Sequence, residues 1–168
     1  MPPAASREPT EVCPGCGAVL VSVADGGSVR PGASPSCSRL FEVTLHGPRE
    51  ETGTDRSAAG VVRLADDAYA AQHPTAEDPD RLRAALDGLP RSPGERPVPS
   101  DAQPPEHWRT TIADVAADLD VIALPVLVTA WARAVREDWA AAGGPGEHGS
   151  STSASCGDDV AYLFFSGE

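Results

Sequence analysis

The chain has 168 residues, a length that suits one domain with flexible ends better than two domains. Only 5% of the residues are aromatic, so the core must consist mainly of small aliphatic side chains. The net charge of −12 disfavours a nucleic-acid-binding protein, because an acidic surface repels phosphate and the arginines are scattered singly.

The N-terminal residues and one apolar run bear on where the protein is expected to be located. Residues 1–10 lack an apolar core, so we expect them to be disordered and not to form a secretory signal. The apolar run 121–130 is far shorter than the ~20 residues that a membrane span needs. We therefore expect no membrane association and a cytoplasmic location. In that reducing compartment, closely spaced cysteines bind metal more often than they form disulfides.

The segment 13–17, Cys-Pro-Gly-Cys-Gly, is typical of a zinc knuckle. Its two thiols are two residues apart, and its glycines let backbone N–H groups approach the sulfurs and stabilise their negative charge. Cys37 supplies a third thiol. The sequence therefore predicts a Zn²⁺ site that contains Cys13, Cys16 and Cys37.

A β-hairpin is predicted next to this knuckle. Residues 18–23 are β-prone, and the Asp-Gly-Gly turn at 25–27 would lead into a short return strand. Ser34 then caps a helix that has proline at its first position and that Gly-Pro at 47–48 ends. Cys37 would lie in the first turn of this helix, where the helix dipole favours a thiolate.

Helices dominate the remainder of the chain. After a polar loop at 48–59, apolar periodicity predicts a helix from Val61 to His73, and Asp-Pro at 78–79 begins a short one. A capped helix lies within 108–119, and the longest helix runs from Leu124 to Ala142. The six prolines of the segment 90–105 predict a loop, and the Gly/Ser-rich start of the segment 143–168 predicts a disordered tail.

The predicted fold class is therefore mostly α. It combines an N-terminal zinc knuckle and β-hairpin with a small bundle of about four to five helices. We expect a single domain over residues 11–142, with disordered ends at 1–10 and 143–168. Trp131 and Trp139 lie eight residues apart on one helical face, which favours core packing over ligand stacking.

His73 is the first candidate for the fourth zinc ligand. It ends a helix on the face that carries Asp66 and Tyr69, and a carboxylate or phenol there could orient a ligating imidazole. A surface histidine at a helix C-terminus would be favoured by the dipole in the same way. His46, Cys156, an acidic side chain or water stay open as alternatives.

No catalytic signature accompanies the cysteines. The sequence has no Gly-rich phosphate loop, nucleophile elbow, H-E-x-x-H motif or dinucleotide fingerprint. We expect a structural zinc site in an interaction or accessory protein with an unknown protein partner. One alternative is a zinc enzyme with an open coordination position, using Asp66 or Tyr69 in proton transfer. Another is a thiol redox protein using Cys13 and Cys16, although the loop-like flanks of this C-x-x-C disfavour it.

The order of these motifs resembles a known family. The runs Cys-Pro-Gly-Cys-Gly-Ala at 13–18, Ala-Ser-Pro-Ser-Cys at 33–37 and Asp-Ala-Tyr-Ala-Ala-Gln-His-Pro at 67–74 are similar to the domain of unknown function 5946 family. The later tryptophan helix around Trp131 looks like that family's C-terminal helix, so the resemblance covers about residues 11–142. No activity is assigned to the family, and the resemblance therefore implies an architecture. It also implies one shared metal site, formed by Cys13, Cys16, Cys37 and His73.

The chain departs from the family pattern at three places. Ser38 stands where an aromatic residue usually follows the third cysteine. Histidines expected around 80–86 and at 140–144 are missing. If those histidines serve a second site or catalysis in relatives, this chain has lost that role.

Overall fold

The computed structural model describes residues 9–23, 29–95, 97–99 and 101–143. These residues form six α-helices and one two-stranded antiparallel sheet, which confirms the mostly α fold class with an N-terminal hairpin. In chain order the elements are β1 Thr10–Val12, β2 Val19–Val21, α1 Pro35–Thr44, α2 His46–Glu51, α3 Arg56–Gln72, α4 Pro79–Gly88, α5 Ile112–Ala117 and α6 Leu124–Ala142. The predicted turn at 25–27, Cys156 and nearly all of the two expected disordered ends lie outside the described residues.

The hairpin forms around the knuckle, not after it. β1 pairs with β2 so that Thr10 faces Val21 and Val12 faces Val19. The Cys-Pro-Gly-Cys-Gly segment is therefore the turn of the hairpin. Gly17 makes the reversal possible because its φ of +72° is one that other residues rarely adopt. The expected return strand is wrong, since residues 29–33 contain no strand.

Part of the predicted polar loop at 48–59 is helical. α3 begins at Arg56, several residues before the predicted start, because the Asp55 side chain accepts a hydrogen bond from the Ser57 N–H at 2.7 Å. α2 occupies part of the expected polar loop. Its Pro48 lies in the first helical turn, where the missing N–H is not needed, so this proline does not prevent a helix.

Other predicted boundaries are confirmed. Ser34 is the N-cap of α1, and its side chain accepts a hydrogen bond from the Cys37 N–H at 3.2 Å. Asp78 caps α4 in the same way. α6 has the predicted bounds, and the described residues of the 90–105 segment contain no helix or strand.

The core lies where α3 packs against α6 and α4. Trp131 and Trp139 are 0% and 1% exposed, which confirms that both belong to the core. Their indole N–H groups donate to the end of α3: Trp131 to the Gln72 side-chain oxygen and Trp139 to the Ala71 carbonyl, both at 3.0 Å. The C-terminal end of α3 is thereby fixed against α6, and His73 follows directly.

No helix in the described part of the chain combines the length and the apolarity that crossing a membrane requires.

Candidate metal centre

The hairpin turn holds the first two cysteines in fixed positions. The Cys13 N–H donates to the Ala18 carbonyl and the Gly17 N–H donates to the Cys13 carbonyl, both at 2.9 Å. These bonds close the turn so that Cys13 and Cys16 face the same side, with 1% and 4% of their surfaces exposed. Both thiols therefore point into the protein at one place.

Two helix ends bring the other two side chains to the same place. Cys37 lies in the first turn of α1 and is fully buried. His73 lies at the C-terminal end of α3 and is 3% exposed. The first turn of a helix leaves backbone N–H groups free and carries a partial positive charge, so a thiolate is favoured at Cys37.

The four ligand atoms form one compact group. All of them lie within 4.8 Å of one another. The His73 Nε2 atom is 3.4 Å from the Cys13 sulfur and 3.5 Å from the Cys37 sulfur, and the Cys16 and Cys37 sulfurs are 3.8 Å apart. The residues come from the hairpin turn, α1 and α3, so three separate parts of the backbone meet at this group. It could hold a metal ion.

Hydrogen bonds prepare the imidazole for this role. The His73 Nδ1–H donates to the Tyr69 carbonyl oxygen at 2.7 Å, which leaves the Nε2 lone pair facing the sulfurs. The ring also stacks on the Tyr69 ring, with centroids 4.0 Å apart. The orientation of the ring and the position of its proton are therefore both set by α3 itself.

Two further donors point at the sulfurs. The Ser34 N–H donates to the Cys13 sulfur, and the Tyr69 O–H donates to the Cys37 sulfur, each at 3.4 Å. Burial is the main cause that raises the Tyr69 pKa, so this hydroxyl stays protonated and remains a donor. Donors of this kind stabilise negative charge on sulfur.

In the absence of an ion, the three thiols compete for one negative charge. Hydrogen bonds from Cys16 and Cys37 lower the pKa of the Cys13 thiol. The same interaction raises the pKa of Cys16 to about 11, and it also raises the pKa of Cys37. Three thiolates at this spacing are stable only next to a cation, because their mutual repulsion is otherwise uncompensated.

The knuckle also packs tightly on the end of α3. A Cβ atom at Gly15 would lie 2.5 Å from the His73 ring and 2.6 Å from the Gly32 carbonyl oxygen, so no larger residue fits there. Gly32 has a φ of +76°, and a Cβ atom there would lie 2.7 Å from the His73 carbonyl oxygen. Glycine at both positions permits the close approach that brings the imidazole to the sulfurs.

Comparison with known proteins places this arrangement in a family. Residues 11–140 match the sequence profile of the Family of unknown function (DUF5946). The chain belongs to this family. The match confirms the resemblance seen in the sequence and includes all four members of the candidate metal centre. No curated protein and no solved structure shows a significant match to the chain.

Ser38, at the position where the resemblance led us to expect an aromatic residue, makes a buried polar contact. The residue is 2% exposed. Its hydroxyl accepts a hydrogen bond from the Arg30 N–H at 3.0 Å. The Arg30 guanidinium in turn lies over the Phe41 ring, 4.7 Å from its centroid. In this DUF5946 protein, a polar contact therefore ties the segment before α1 to the helix.

The other candidates from the sequence lie apart from the group. Asp66 forms an ion pair with Arg49 at 2.7 Å. The group that orients His73 is the Tyr69 backbone carbonyl, and it is neither the carboxylate nor the phenol that we considered. His46 is exposed and lies 3.5 Å from Glu50. His107 is also exposed.

Sequence reasoning missed the support that Trp108 gives to the knuckle. Its indole N–H donates to the Gly15 carbonyl at 3.0 Å across 93 residues of chain. Its ring packs against the Trp139 ring, with centroids 6.2 Å apart. A single sequence contains no signal for a contact of this range. The segment before α5 thus closes the outer side of the turn.

Proposed function

We propose that Cys13, Cys16, Cys37 and His73 bind one Zn²⁺ ion, and that the ion is structural. In this role it fastens the N-terminal hairpin to α1 and α3. The chain then acts as an interaction or accessory protein whose partner docks on the fixed N-terminal region. The observation that carries the proposal is the spacing of the four ligand atoms.

Three of the six separations match the ligand shell of tetrahedral zinc, and all six are at most 4.8 Å. With Zn–S bonds of about 2.3 Å and Zn–N bonds of about 2.0 Å, tetrahedral ligands lie about 3.8 Å apart for two sulfurs and about 3.5 Å apart for sulfur and nitrogen. The corresponding separations here are 3.8 Å for Cys16 and Cys37, 3.5 Å for Cys37 and His73, and 3.4 Å for Cys13 and His73. Three thiolates and an imidazole are also a donor set that favours zinc over the harder cations.

Burial supports a structural ion over a catalytic one. Each of the four side chains is at most 4% exposed, whereas a catalytic zinc keeps one position open to water or substrate. The two side chains that we considered for proton transfer are engaged in other interactions. Asp66 pairs with Arg49, and the Tyr69 hydroxyl donates to the Cys37 sulfur.

Exposed apolar surface on the hairpin supports the interaction role. The valines that leave 37–64% of their surface in solvent on and beside the sheet and α1 are Val12, Val19, Val21, Val23 and Val43. The last three border a shallow cavity of about 270 Å³ between β2 and α1. A group of exposed apolar residues on a small surface is typical of a protein-binding site.

Metal content of purified variants tests the zinc assignment. We expect one zinc ion per chain in the wild-type protein by elemental analysis. The Cys37→Ser substitution should lose it, because an alcohol is a much weaker ligand than a thiolate. Cys156→Ser is the matched control, since it removes the fourth cysteine of the chain, and it should keep the zinc. Zinc retained by Cys37→Ser, or lost by Cys156→Ser, would contradict the ligand set.

Two measurements separate the structural role from its alternatives. Zinc-edge X-ray absorption should show three sulfurs and one nitrogen around the ion. A water molecule bound to the ion would favour the alternative of a zinc enzyme with an open coordination position. Mass spectrometry after mild oxidation of the zinc-loaded protein should show free Cys13 and Cys16. A reversible disulfide between them would favour the thiol redox protein.

A further inference from the structure

A second candidate site lies away from the four metal-centre residues. It is a cavity of about 260 Å³ between α4, the proline-rich segment and α6. Its walls are partly apolar, with Leu82 and Leu86 from α4, Val98 from the segment, and Trp139 from α6. The volume lies just below the range of about 300–1,000 Å³ that is usual for small-molecule sites, so it suits a small ligand.

Arg136 of α6 borders the cavity. This side chain is only 2% exposed. Its Nε–H donates to Glu95 at 2.5 Å and its Nη1–H donates to the Leu86 carbonyl at 2.9 Å. Its Nη2 atom is buried and has no hydrogen-bond acceptor among the described residues. Such an unpaired buried donor is destabilising, and a ligand oxygen would remove the penalty.

The arginines around the cavity can supply hydrogen-bond donors to an anion. Three arginines line it, whereas Asp87 is the only carboxylate among the described lining residues. Arg91 pairs with Asp87 and Arg83 pairs with Asp80, but these acids are 64% and 89% exposed. Exposed ion pairs of this kind contribute little energy, so both guanidinium groups can turn to a ligand.

We propose that this cavity binds a small organic carboxylate with a short apolar body. The carboxylate is bound by Arg83 and Arg91 and, once the Arg136 side chain shifts enough to expose its buried Nη2–H, by that donor as well, while the apolar body packs between Leu82 and Trp139. The proposal is independent of the zinc site, since the two share no residue. It assigns the chain a ligand-binding activity beyond the interaction role.

Binding of hexanoate to the zinc-loaded, full-length protein tests the proposal. Hexanol and hexylamine have the same apolar body with a neutral and a cationic head. In calorimetric and NMR titrations we expect saturable binding of hexanoate, with a shift of the Trp139 indole signal. Hexanol should bind about tenfold more weakly or worse, because it lacks the charge-assisted hydrogen bonds. Absence of saturable hexanoate binding, or equal affinity for hexanol or hexylamine, would overturn the proposal.

Substitutions at exposed or partly buried lining residues test the site, because they should leave the protein folded. Leu82→Trp should fill the cavity and abolish hexanoate binding. The double substitution Arg83→Gln and Arg91→Gln should weaken binding by about tenfold, as expected for the loss of charged partners. Arg133→Gln is the matched control, because Arg133 is exposed on α6 and does not line the cavity. Unchanged affinity in the Leu82→Trp protein, or equal losses in all three variants, would show that hexanoate binds elsewhere.

Discussion

Tyr69 links the core to the candidate metal centre through three of its groups. Its ring lies between the rings of Phe41 and His73, with centroids at 4.1 and 4.0 Å. Its carbonyl accepts from the His73 Nδ1–H, and its hydroxyl donates to the Cys37 sulfur. Of these interactions, only the one made by the hydroxyl can be removed without disturbing the backbone or the ring.

The Tyr69→Phe substitution should therefore weaken zinc binding with little effect on the fold. Loss of an outer hydrogen bond to a ligand typically lowers metal affinity by about 10- to 100-fold. We expect the free energy of unfolding to fall by only about 1 kcal/mol. Competition with a chromogenic chelator measures the affinity. Tyr162→Phe, which changes the other tyrosine of the chain, is the control; equal zinc affinity in both variants would refute the role of the hydroxyl.

Gly15 is the second residue at which we expect a substitution to have a clear effect on stability. In Gly15→Ala the new methyl group would meet the His73 ring and two backbone carbonyls, those of Gly32 and Gln72. Overpacking of this kind typically destabilises by about 1–3 kcal/mol, and here it should also reduce zinc retention. Gly60→Ala is the opposite case. Gly60 is exposed within α3 with open space around it, so alanine should stabilise the protein by up to about 1 kcal/mol. Urea unfolding compares the stability of the two variants with that of the wild-type protein. Equal stability of Gly15→Ala and wild type would disprove the close packing of the knuckle on the end of α3.

At the residue scale, the sequence predicted all four members of the cluster and missed most of their support. The spacing of Cys13 and Cys16 and the cap before Cys37 are local signals, so they can be read directly. His73 was the first of several candidates for the fourth ligand, and the family resemblance placed it in one pattern with the cysteines. The Trp108 indole and the Gly32 backbone act across long stretches of chain, and no local pattern marks such contacts.

At the element scale, helices with strong local signals had the expected bounds. α6 has a long apolar period and α4 has an Asp-Pro start, so both were predicted correctly. The turn of the hairpin was predicted at the wrong place, because the glycine pair at 26–27 is a stronger turn signal than the knuckle. The β-prone residues on both sides of the knuckle, Thr10–Val12 and Val19–Val21, were the available clue.

The proline-rich segment is attached to α6 by a pH-sensitive ion pair. Burial acts to raise the pKa of Glu95, but the Ser92 N–H and the Arg136 guanidinium outweigh it, so the pKa lies below its ordinary value of 4.5. A carboxylate with a depressed pKa stabilises the fold above its unfolded-state pKa. That stabilisation is lost as the pH falls through the folded-state pKa.

Glu95→Gln should therefore destabilise the protein at pH 7 and lose its effect in acid. At pH 7 we expect a loss of about 2 kcal/mol or more, since Arg136 keeps a buried charge without its partner. As the pH falls well below 4.5, wild-type Glu95 also becomes neutral and the two proteins should converge. Denaturant unfolding from pH 7 to 3 measures the difference in free energy of unfolding between the two proteins. Acid releases zinc from both of them equally, so zinc release does not contribute to this difference. Glu106→Gln, at an exposed position, is the control; a difference that stays constant down to pH 3 would contradict the ion pair.

At the scale of the whole molecule, the cluster joins distant parts of the chain. Cys13 and His73 are 60 residues apart, and Cys37 lies between them. An ion bound by all three would add its binding energy to the folded state. This contribution would matter here, because α3 supplies mostly alanines to the core and each alanine buries little apolar area. That residues 11–142 form a single domain stays a prediction.

Equilibrium unfolding with and without a metal chelator tests the structural role of the ion most directly. The zinc-loaded protein should unfold in one transition, and removal of zinc should lower the free energy of unfolding by several kcal/mol, with an upper limit on the order of 10 kcal/mol. Addition of zinc after chelation should restore the original curve. Superimposable unfolding curves for the loaded and the chelated protein would contradict a structural metal centre.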